Sequence, residues 1–308
     1  MKLIFFAVLL SLFGTASFAQ QLTGGKTVSF DASAAKSGKL TLTGFVFEPA
    51  NPPNSAVVLL VSSGGINDAI QGHYGRDLSK AGHLVLAVDS FVPRQILNGT
   101  TFDQSQVGSF HMTLDAFDAK RYIAKTYPTI KKFTVMGFSK GGLATMFAAD
   151  KSFHSNENDR FDSHIAVYPS CAFAARNPKP VGPLLILLGA KDDYSGIDPC
   201  VQWSDKFKTA GGKVEIKIYP DAHHSFDGDP SRTNPFYLGR AENFSRCLVL
   251  MEDDGRWSYR DKFYTEQLDT YRDLVRSCVK LGATVGTNLR AKASATEDAK
   301  SFLAPFLQ

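Results

Sequence analysis

The chain has 308 residues, of which 44% are hydrophobic and 21% are charged. This composition is typical of a folded protein with a large core, and it excludes a disordered or low-complexity chain. The formal net charge is +4, with Lys and Arg dispersed along the sequence, so no nucleic-acid-binding surface is indicated.

The first residues have the pattern of a secretory signal peptide. Lys2 precedes an apolar run from Leu3 to Phe13, and Ser17-Phe18-Ala19 places small residues three and one positions before Gln20. The pattern predicts a signal peptide over residues 1–19 with cleavage after Ala19, and the run is too short to span a bilayer. An uncleaved signal anchor is the alternative. Later apolar stretches are all shorter than the roughly 18 residues of a spanning helix, so we expect no membrane span in the mature chain.

Strand and helix signals alternate from residue 20 to residue 308, which predicts a single α/β domain. The first two strands alternate in polarity and predict an antiparallel edge, whereas the later ones are short and apolar, as in parallel strands covered on both faces. The predicted strands are 27–32, 40–47, 56–61, 83–88, 132–137, 164–168, 183–188 and 213–219. The predicted helices are 69–81, 112–126, 141–150, 198–210, 236–250, 260–281 and 296–306. These signals predict a mostly parallel eight-stranded sheet with helices on both faces and, from about residue 226, a helical extension over or beside it.

A long irregular segment, Arg94 to Phe110, lies between a strand end and a helix. Long loops without periodicity in compact domains are often functional, and we expect this one to select the substrate. Arg94 is a candidate for binding a substrate carboxylate through two hydrogen bonds. A structural arginine that binds loop carbonyls is an equally good interpretation.

The most informative motif is Gly137-Phe138-Ser139-Lys140-Gly141, followed by Gly142. An apolar strand ends at Gly137, and a helix-favouring stretch begins directly after the glycines. A G-x-S-x-G sequence between a strand and a helix forms a sharp turn that presents the serine at the end of the strand. This context predicts that Ser139 is a nucleophile.

An acid and a base follow in the order expected for such a nucleophile. The strand 183–188 leads into Gly189-Ala190-Lys191-Asp192-Asp193, and the strand 213–219 leads into a loop with His223 and His224. We predict Asp192 as the acid from its spacing to Gly189, with Asp193 a solvated neighbour. We predict His224 as the base.

The base loop also has a second interpretation, as a metal site. The pair His223 and His224, with Asp227 and Asp229, could form a metal site, but adjacent histidines do not share one face, and we expect no metal. The other histidines are scattered and are interpreted as surface or packing residues.

In an oxidising compartment the four cysteines should be paired. Cys171 follows a strand and Cys200 opens a helix at the same predicted sheet edge, and Cys247 and Cys278 form the natural second pair. Three connectivities are possible. None of the four cysteines lies in a nucleophile motif, which argues against a catalytic cysteine.

These motifs resemble those of the dienelactone hydrolase family of α/β-hydrolases. The matching segments are Gly137–Gly142, Gly189–Asp193, Tyr219–Phe226 and Val88–Arg94, and the resemblance covers roughly residues 40–285. The chain is more similar to the exported serine branch of the family than to the soluble branch with a cysteine nucleophile. The resemblance implies the α/β-hydrolase fold.

The sequence departs from the family before the oxyanion hole. Many relatives have His-Gly there, whereas this chain has Val61-Ser62-Ser63-Gly64-Gly65. Because an oxyanion hole uses backbone N–H groups, the side chains are not decisive. We assign the donors to Ser63, with Ser62 as a close rival, and to Lys140.

The resemblance and the motifs together predict a secreted or periplasmic serine hydrolase that acts on small-molecule esters or lactones and needs no cofactor. A serine peptidase or aminoacyl hydrolase is a second possibility, although no peptide-gating domain is visible. A non-catalytic secreted binding protein with the same fold is a third, and the complete triad argues against it.

Overall fold

The structure is a computed structural model that describes residues 21–33, 39–96, 106–154, 156, 159–265 and 267–307. The predicted signal peptide, residues 1–19, lies outside the described residues, as does the middle of the predicted substrate loop, 97–105. No helix in the described part of the chain is long and apolar enough to cross a membrane.

A central sheet of eight strands organises the molecule, in the order β1-β2-β4-β3-β5-β6-β8-β9. The first edge is antiparallel, through the β1–β2 and β2–β4 pairs, and the remaining pairs are parallel. The predicted mostly parallel eight-stranded sheet is confirmed, each strand end falling within one residue of its expected place. The strands are β1 Lys26–Ala32, β2 Leu40–Phe47, β3 Ser55–Leu60, β4 Leu84–Asp89, β5 Lys132–Phe138, β6 Ser163–Val167, β8 Pro183–Gly189 and β9 Lys213–Tyr219.

Helices pack against this sheet. Their cover explains why the central strands are apolar, since β3 and β4 are buried along their whole length. In the described part of the chain the α-helices are α1 His73–Lys80, α2 Ser109–Thr126, α3 Lys140–Ala148, α4 Asp198–Thr209, α5 Gln267–Ser277 and α6 Leu289–Leu303. A π-helical turn, Asp68–Gly72, precedes α1. Helix α6 packs against α1, where His73 Nε2 lies 2.9 Å from Thr296 Oγ1.

The parallel register brings four strand ends to one edge of the sheet. Phe138 at the end of β5 pairs with Val167 at the end of β6, and Gly189 at the end of β8 pairs with Tyr219 at the end of β9. The residues that follow these strands therefore lie close together. In open α/β sheets this edge is where ligands bind.

The C-terminal extension differs from the prediction. The segment 236–250, predicted as a helix, contains β10 Phe236–Asn243 and the beginning of β11 Val249–Met251. The predicted helix 260–281 is reduced to α5, followed by β14 Lys280–Val285, while the last helix is present as α6. Strand β10 pairs with β14, and β11 joins β12 Trp257–Tyr259, β13 Lys262–Tyr264 and the short β7 Phe173–Ala175. The extension is therefore mixed, because pairing with distant strands overrides local helix preference.

Two disulfide bonds tie the fold, Cys171–Cys200 and Cys247–Cys278. The first joins the segment after β6 to the first turn of α4 at the edge of the sheet described above. The second joins Cys247, which follows β10, to Cys278, which lies shortly before β14.

Candidate active site

Ser139 occupies a strained turn between β5 and α3. Its backbone has φ 52° and ψ −110°, a region that residues with a side chain rarely adopt. The surrounding glycines allow close approach: a Cβ at Gly137 would lie 2.1 Å from the Gly141 carbonyl oxygen, and one at Gly141 would lie 2.4 Å from that of Val61. The turn thus presents the Ser139 side chain at the C-terminal end of the strand.

The Ser139 hydroxyl lies next to His224, from the loop after β9. His224 Nε2 is 2.8 Å from Ser139 Oγ, and His224 Nδ1 is 2.9 Å from Asp192 Oδ2. Both partners of that second contact are almost completely buried, with 3% of His224 and 6% of Asp192 exposed. The structure thus brings together the predicted nucleophile, base and acid in one hydrogen-bonded chain.

The Asp192 carboxylate is oriented by its own loop. Its Oδ1 accepts hydrogen bonds from the backbone N–H groups of Tyr194 at 2.9 Å and Ser195 at 2.8 Å, which leaves Oδ2 for His224. Burial would raise the pKa of Asp192, but the charge and hydrogen bond of His224 and the two N–H donors lower it below its ordinary value. An ionised carboxylate at this position accepts a hydrogen bond from Nδ1–H of the imidazole and so orients the ring.

Two aromatic rings flank the imidazole. The ring centroids of Tyr168 and Tyr194 each lie 4.8 Å from that of His224. Ser195 adds a hydroxyl 3.4 Å from His224 Nδ1, and the same hydroxyl donates to the Tyr168 carbonyl at 3.2 Å. Sequence reasoning missed these residues, although Tyr168 is the last residue of the predicted strand 164–168, which ends at this edge of the sheet.

The neighbouring residues of the two ambiguous pairs lie elsewhere. His223 is half-buried beside the base and makes no contact with Ser139 among the described hydrogen bonds. Asp193 is exposed, as expected of a solvated neighbour, and its carboxylate also accepts hydrogen bonds from the backbone N–H and the hydroxyl of Thr284 at 2.7 and 2.9 Å. Asp193 therefore has a partner in β14.

The two candidate oxyanion segments lie against each other. Lys140 is the first residue of α3, so its N–H belongs to the helix N-terminus, which favours negative charge. The Ser62–Gly65 turn follows β3, and Ser62 accepts the N–H of Gly64 on its hydroxyl at 3.2 Å and that of Gly65 on its carbonyl at 3.0 Å. This turn and the tight Val61–Gly141 approach support a pocket between Ser63 and Lys140, which remains a prediction.

The Lys140 side chain extends over an aromatic ring. Its ammonium lies 5.7 Å from the centroid of Phe91, which follows β4. Burial lowers the pKa of Lys140 from 10.5 to about 8. This readily deprotonated ammonium belongs to the residue directly after Ser139.

Arg94 lies at the same edge but is turned towards α2. Its guanidinium donates to both oxygens of Asp115, at 2.8 and 2.7 Å, and to the Ser90 carbonyl at 2.8 Å. The Asp115 side chain is completely buried and that of Arg94 is 13% exposed. These contacts favour the structural interpretation of Arg94 over a substrate clamp.

The residues considered as metal ligands have other partners. Asp227 is buried and accepts a hydrogen bond from the Tyr168 hydroxyl, and Asp229 accepts from the backbone N–H and hydroxyl of Ser231. Within the described ranges, no group of three or more His, Cys, Asp or Glu residues could hold a metal ion.

Comparison with known proteins places this geometry in a family. The sequence model of the dienelactone hydrolase family matches residues 42–245. The chain belongs to the dienelactone hydrolase family. A protein of Saccharolobus solfataricus with the provisional name carboxymethylenebutenolidase is 24% identical over 259 residues, which is 68% of this chain and 91% of the relative.

Solved structures agree in fold. A provisionally named dienelactone hydrolase from Klebsiella pneumoniae has a TM-score of 0.50 at 20% identity, over 65% of this chain and 88% of its own. Thermogutta terrifontis esterase 2, phosphoramylated by tabun, has a TM-score of 0.54 at 17% identity, over 69% of this chain and 89% of its own. The α/β-hydrolase fold is thereby confirmed, and the family makes this chain a carboxylic ester hydrolase.

Proposed function

We propose that this protein is an exported serine hydrolase that cleaves carboxylic esters or lactones through an acyl-enzyme. The observation that carries the proposal is the hydrogen-bonded chain from Ser139 Oγ through His224 to Asp192. In this respect it resembles the exported serine branch of the family and not the soluble branch with a cysteine nucleophile.

In the first half of the reaction, Ser139 Oγ attacks the ester carbonyl carbon and its proton passes to His224 Nε2. Asp192, held ionised, stabilises the imidazolium through Nδ1. The N–H groups of Ser63 and Lys140 receive the negative oxygen of the tetrahedral intermediate. When the intermediate collapses, the imidazolium gives its proton to the leaving alkoxide, and the alcohol departs; in a lactone the alcohol stays attached to the acyl group.

In the second half, water replaces the alcohol. His224 takes a proton from the water as it attacks the acyl carbon of the ester on Ser139. Collapse of this second intermediate breaks the bond to Ser139 Oγ, which recovers the proton from His224. The products are a carboxylic acid and the regenerated enzyme.

The substrate class is supported by the relatives and not by fold alone. A carboxymethylenebutenolidase acts on a lactone by its name, and the Thermogutta protein is an esterase by its name. We therefore place small esters and lactones before peptides as substrates.

Export is supported by two independent observations. Residues 1–19 have the sequence pattern of a signal peptide, and all four cysteines form disulfides. Disulfides persist in the periplasm and outside the cell, whereas the cytosol keeps thiols reduced. We propose that the mature enzyme begins at Gln20.

A substrate panel with a nucleophile variant tests the function. Purified protein would be assayed against p-nitrophenyl esters, aliphatic lactones and aminoacyl esters, beside Ser139→Ala and the control Ser231→Ala, which alters an exposed turn serine. We expect ester and lactone turnover that Ser139→Ala abolishes and Ser231→Ala retains, with a fluorophosphonate attached to Ser139 alone. No turnover on any substrate together with no labelling would support the binding-protein alternative.

A further inference from the structure

A single extended segment contacts both loops that carry the proposed acid and base. It begins in β14 and continues to Asn288, and we call residues 284–288 the strap. Thr284 N–H donates to Asp193 Oδ1 at 2.7 Å, Gly286 N–H donates to the His224 carbonyl at 3.1 Å, and Asn288 N–H donates to the Phe226 carbonyl at 2.8 Å. In an extended chain every second N–H points to the same side, so one edge of the strap binds the acid loop first and the base loop next.

Side chains strengthen both ends of this contact. The Thr284 hydroxyl donates to Asp193 Oδ2 at 2.9 Å, and the buried Asn243 of β10 donates its amide to the Asp193 carbonyl at 2.6 Å. At the other end, the Asn288 amide donates to the Asp221 carbonyl at 3.0 Å, just before His224. The residue directly after Asp192 and the backbone of His224 are therefore attached to the same strand.

The two loops also touch each other directly, at the Asp192–His224 hydrogen bond and at a backbone contact nearer the strands. Lys191 N–H donates to the Ala222 carbonyl at 2.9 Å, and a Cβ at Gly189 would lie 2.3 Å from the same oxygen. The Asp192 and His224 side chains lie farther along the two loops than this backbone contact. The strap binds the loops next to these two residues, at Asp193 and at the His224 carbonyl.

We propose that the strap sets the separation between Asp192 and His224, and that Asp193 and Thr284 are positioning residues for the reaction. The inference rests on the proposed function and deepens it, because it assigns a catalytic task to the C-terminal extension. The Cys247–Cys278 bond supports the strap from its far end, since it closes the connection between β10 and β14.

The test compares Asp193→Ala, Thr284→Val and the double variant with Asp254→Ala. Asp254 is a matched control: an exposed aspartate of the extension that accepts hydrogen bonds from Arg256 within its own turn. Active sites would be counted by complete fluorophosphonate titration, so that unfolded molecules do not enter kcat. The proton NMR signal of the hydrogen between His224 and Asp192 reports their contact directly.

For Asp193→Ala we expect about a tenfold fall in kcat per titrated site with little change in KM, since both hydrogen bonds from Thr284 to a charged group are lost. The double variant should fall no further than Asp193→Ala, because the two residues act on one contact. The low-field NMR signal should broaden or shift in Asp193→Ala, in Thr284→Val and in the double variant. Thr284→Ser keeps the hydroxyl donor and should give the wild-type signal, and Asp254→Ala should leave kcat and the signal unchanged.

Unchanged kcat and an unchanged NMR signal in Asp193→Ala would overturn the strap. So would a loss of activity fully explained by fewer titratable sites, because that outcome indicates only a folding role. If the wild-type protein turned over no ester, the proposed function would fail, and the NMR signal would still decide whether the strap positions the Asp192–His224 pair.

Discussion

The Tyr168 hydroxyl donates a 2.5 Å hydrogen bond to the Asp227 carboxylate, and the same tyrosine ring packs on the imidazole of His224. Both partners of the hydrogen bond are completely buried. Burial raises the pKa of Asp227, and the Tyr168 hydrogen bond opposes that rise. One side chain therefore stabilises a buried carboxylate and supports the proposed base.

Tyr168→Phe separates these two roles. The phenylalanine ring keeps the contact with His224, but Asp227 loses its hydrogen bond, so we expect the free energy of unfolding at neutral pH to fall by about 1–3 kcal/mol. The pKa of Asp227 is raised in the fold, so this deficit should shrink as acid protonates the carboxyl. Chemical denaturation at two pH values measures it. A large fall in kcat without loss of stability would contradict the assignment.

His224→Ala should lower kcat by about three orders of magnitude or more, the effect of losing a triad base. His223→Ala is the matched control on the neighbouring residue and should cost far less. By the same logic, Asp192→Asn should cost more than Asp193→Asn, which keeps one oxygen for the Thr284 N–H. Steady-state kinetics on an activated ester measure the ranking. The reverse order would mean that His223 is the base or that Asp193 is the acid.

Arg94→Ala should act on stability and not on substrate choice. It leaves the completely buried Asp115 without its charged partner, which typically costs about 3–5 kcal/mol. Arg94→Ala combined with Asp115→Asn should recover part of that loss, because the uncompensated charge is gone. A rise in KM for acidic esters alone, with stability unchanged, would instead support the carboxylate clamp.

Lys140→Met should change stability in a pH-dependent way. Burial lowers the pKa of Lys140 to about 8, whereas the unfolded chain keeps the ordinary value of 10.5. The folded protein thus loses this proton first, and the cost of burying the charge is full below pH 8 and disappears as the pH rises towards 10.5. We expect the variant to gain stability over the wild type at pH 7 and to lose that gain by pH 10.

The same variant retains the backbone N–H at position 140. If this N–H is an oxyanion donor, kcat at pH 7 should change only modestly. Urea denaturation curves across the pH range and initial rates at pH 7 are the measurements. A stability difference that is constant with pH would show that the buried cation does not titrate as described.

Each disulfide should be tested by a double Cys→Ser variant. The closed loops span sequence separations of 29 and 31 residues, and loops of this size typically stabilise a fold by about 2–4 kcal/mol. Thermal unfolding of each variant measures the effect. Only the Cys247/Cys278 variant should also lower kcat per active site, because that bond supports the strap; equal kinetic losses in both would contradict this difference.

The sequence by itself determined the sheet and the order of the site. Short apolar strands that end in polar turns identify parallel strands covered on both faces, and parallel strands must present their C-terminal ends at one edge. Ser139, Asp192 and His224 each follow such an end, so their proximity follows from topology. The glycines at positions 137 and 141 are also local signals, because the turn around Ser139 needs close backbone approach.

Only the tertiary structure decided what the segment after residue 226 does and which groups surround the triad. The stretch 236–250 has local features of a helix, yet it forms β10 because β14, more than 35 residues later, offers a pairing partner. The roles of Arg94 and Asp193 depend likewise on Asp115 and Thr284, 21 and 91 residues away. Local periodicity carries no information about such partners, because the free energy of a strand pair or a buried ion pair arises only when distant segments meet.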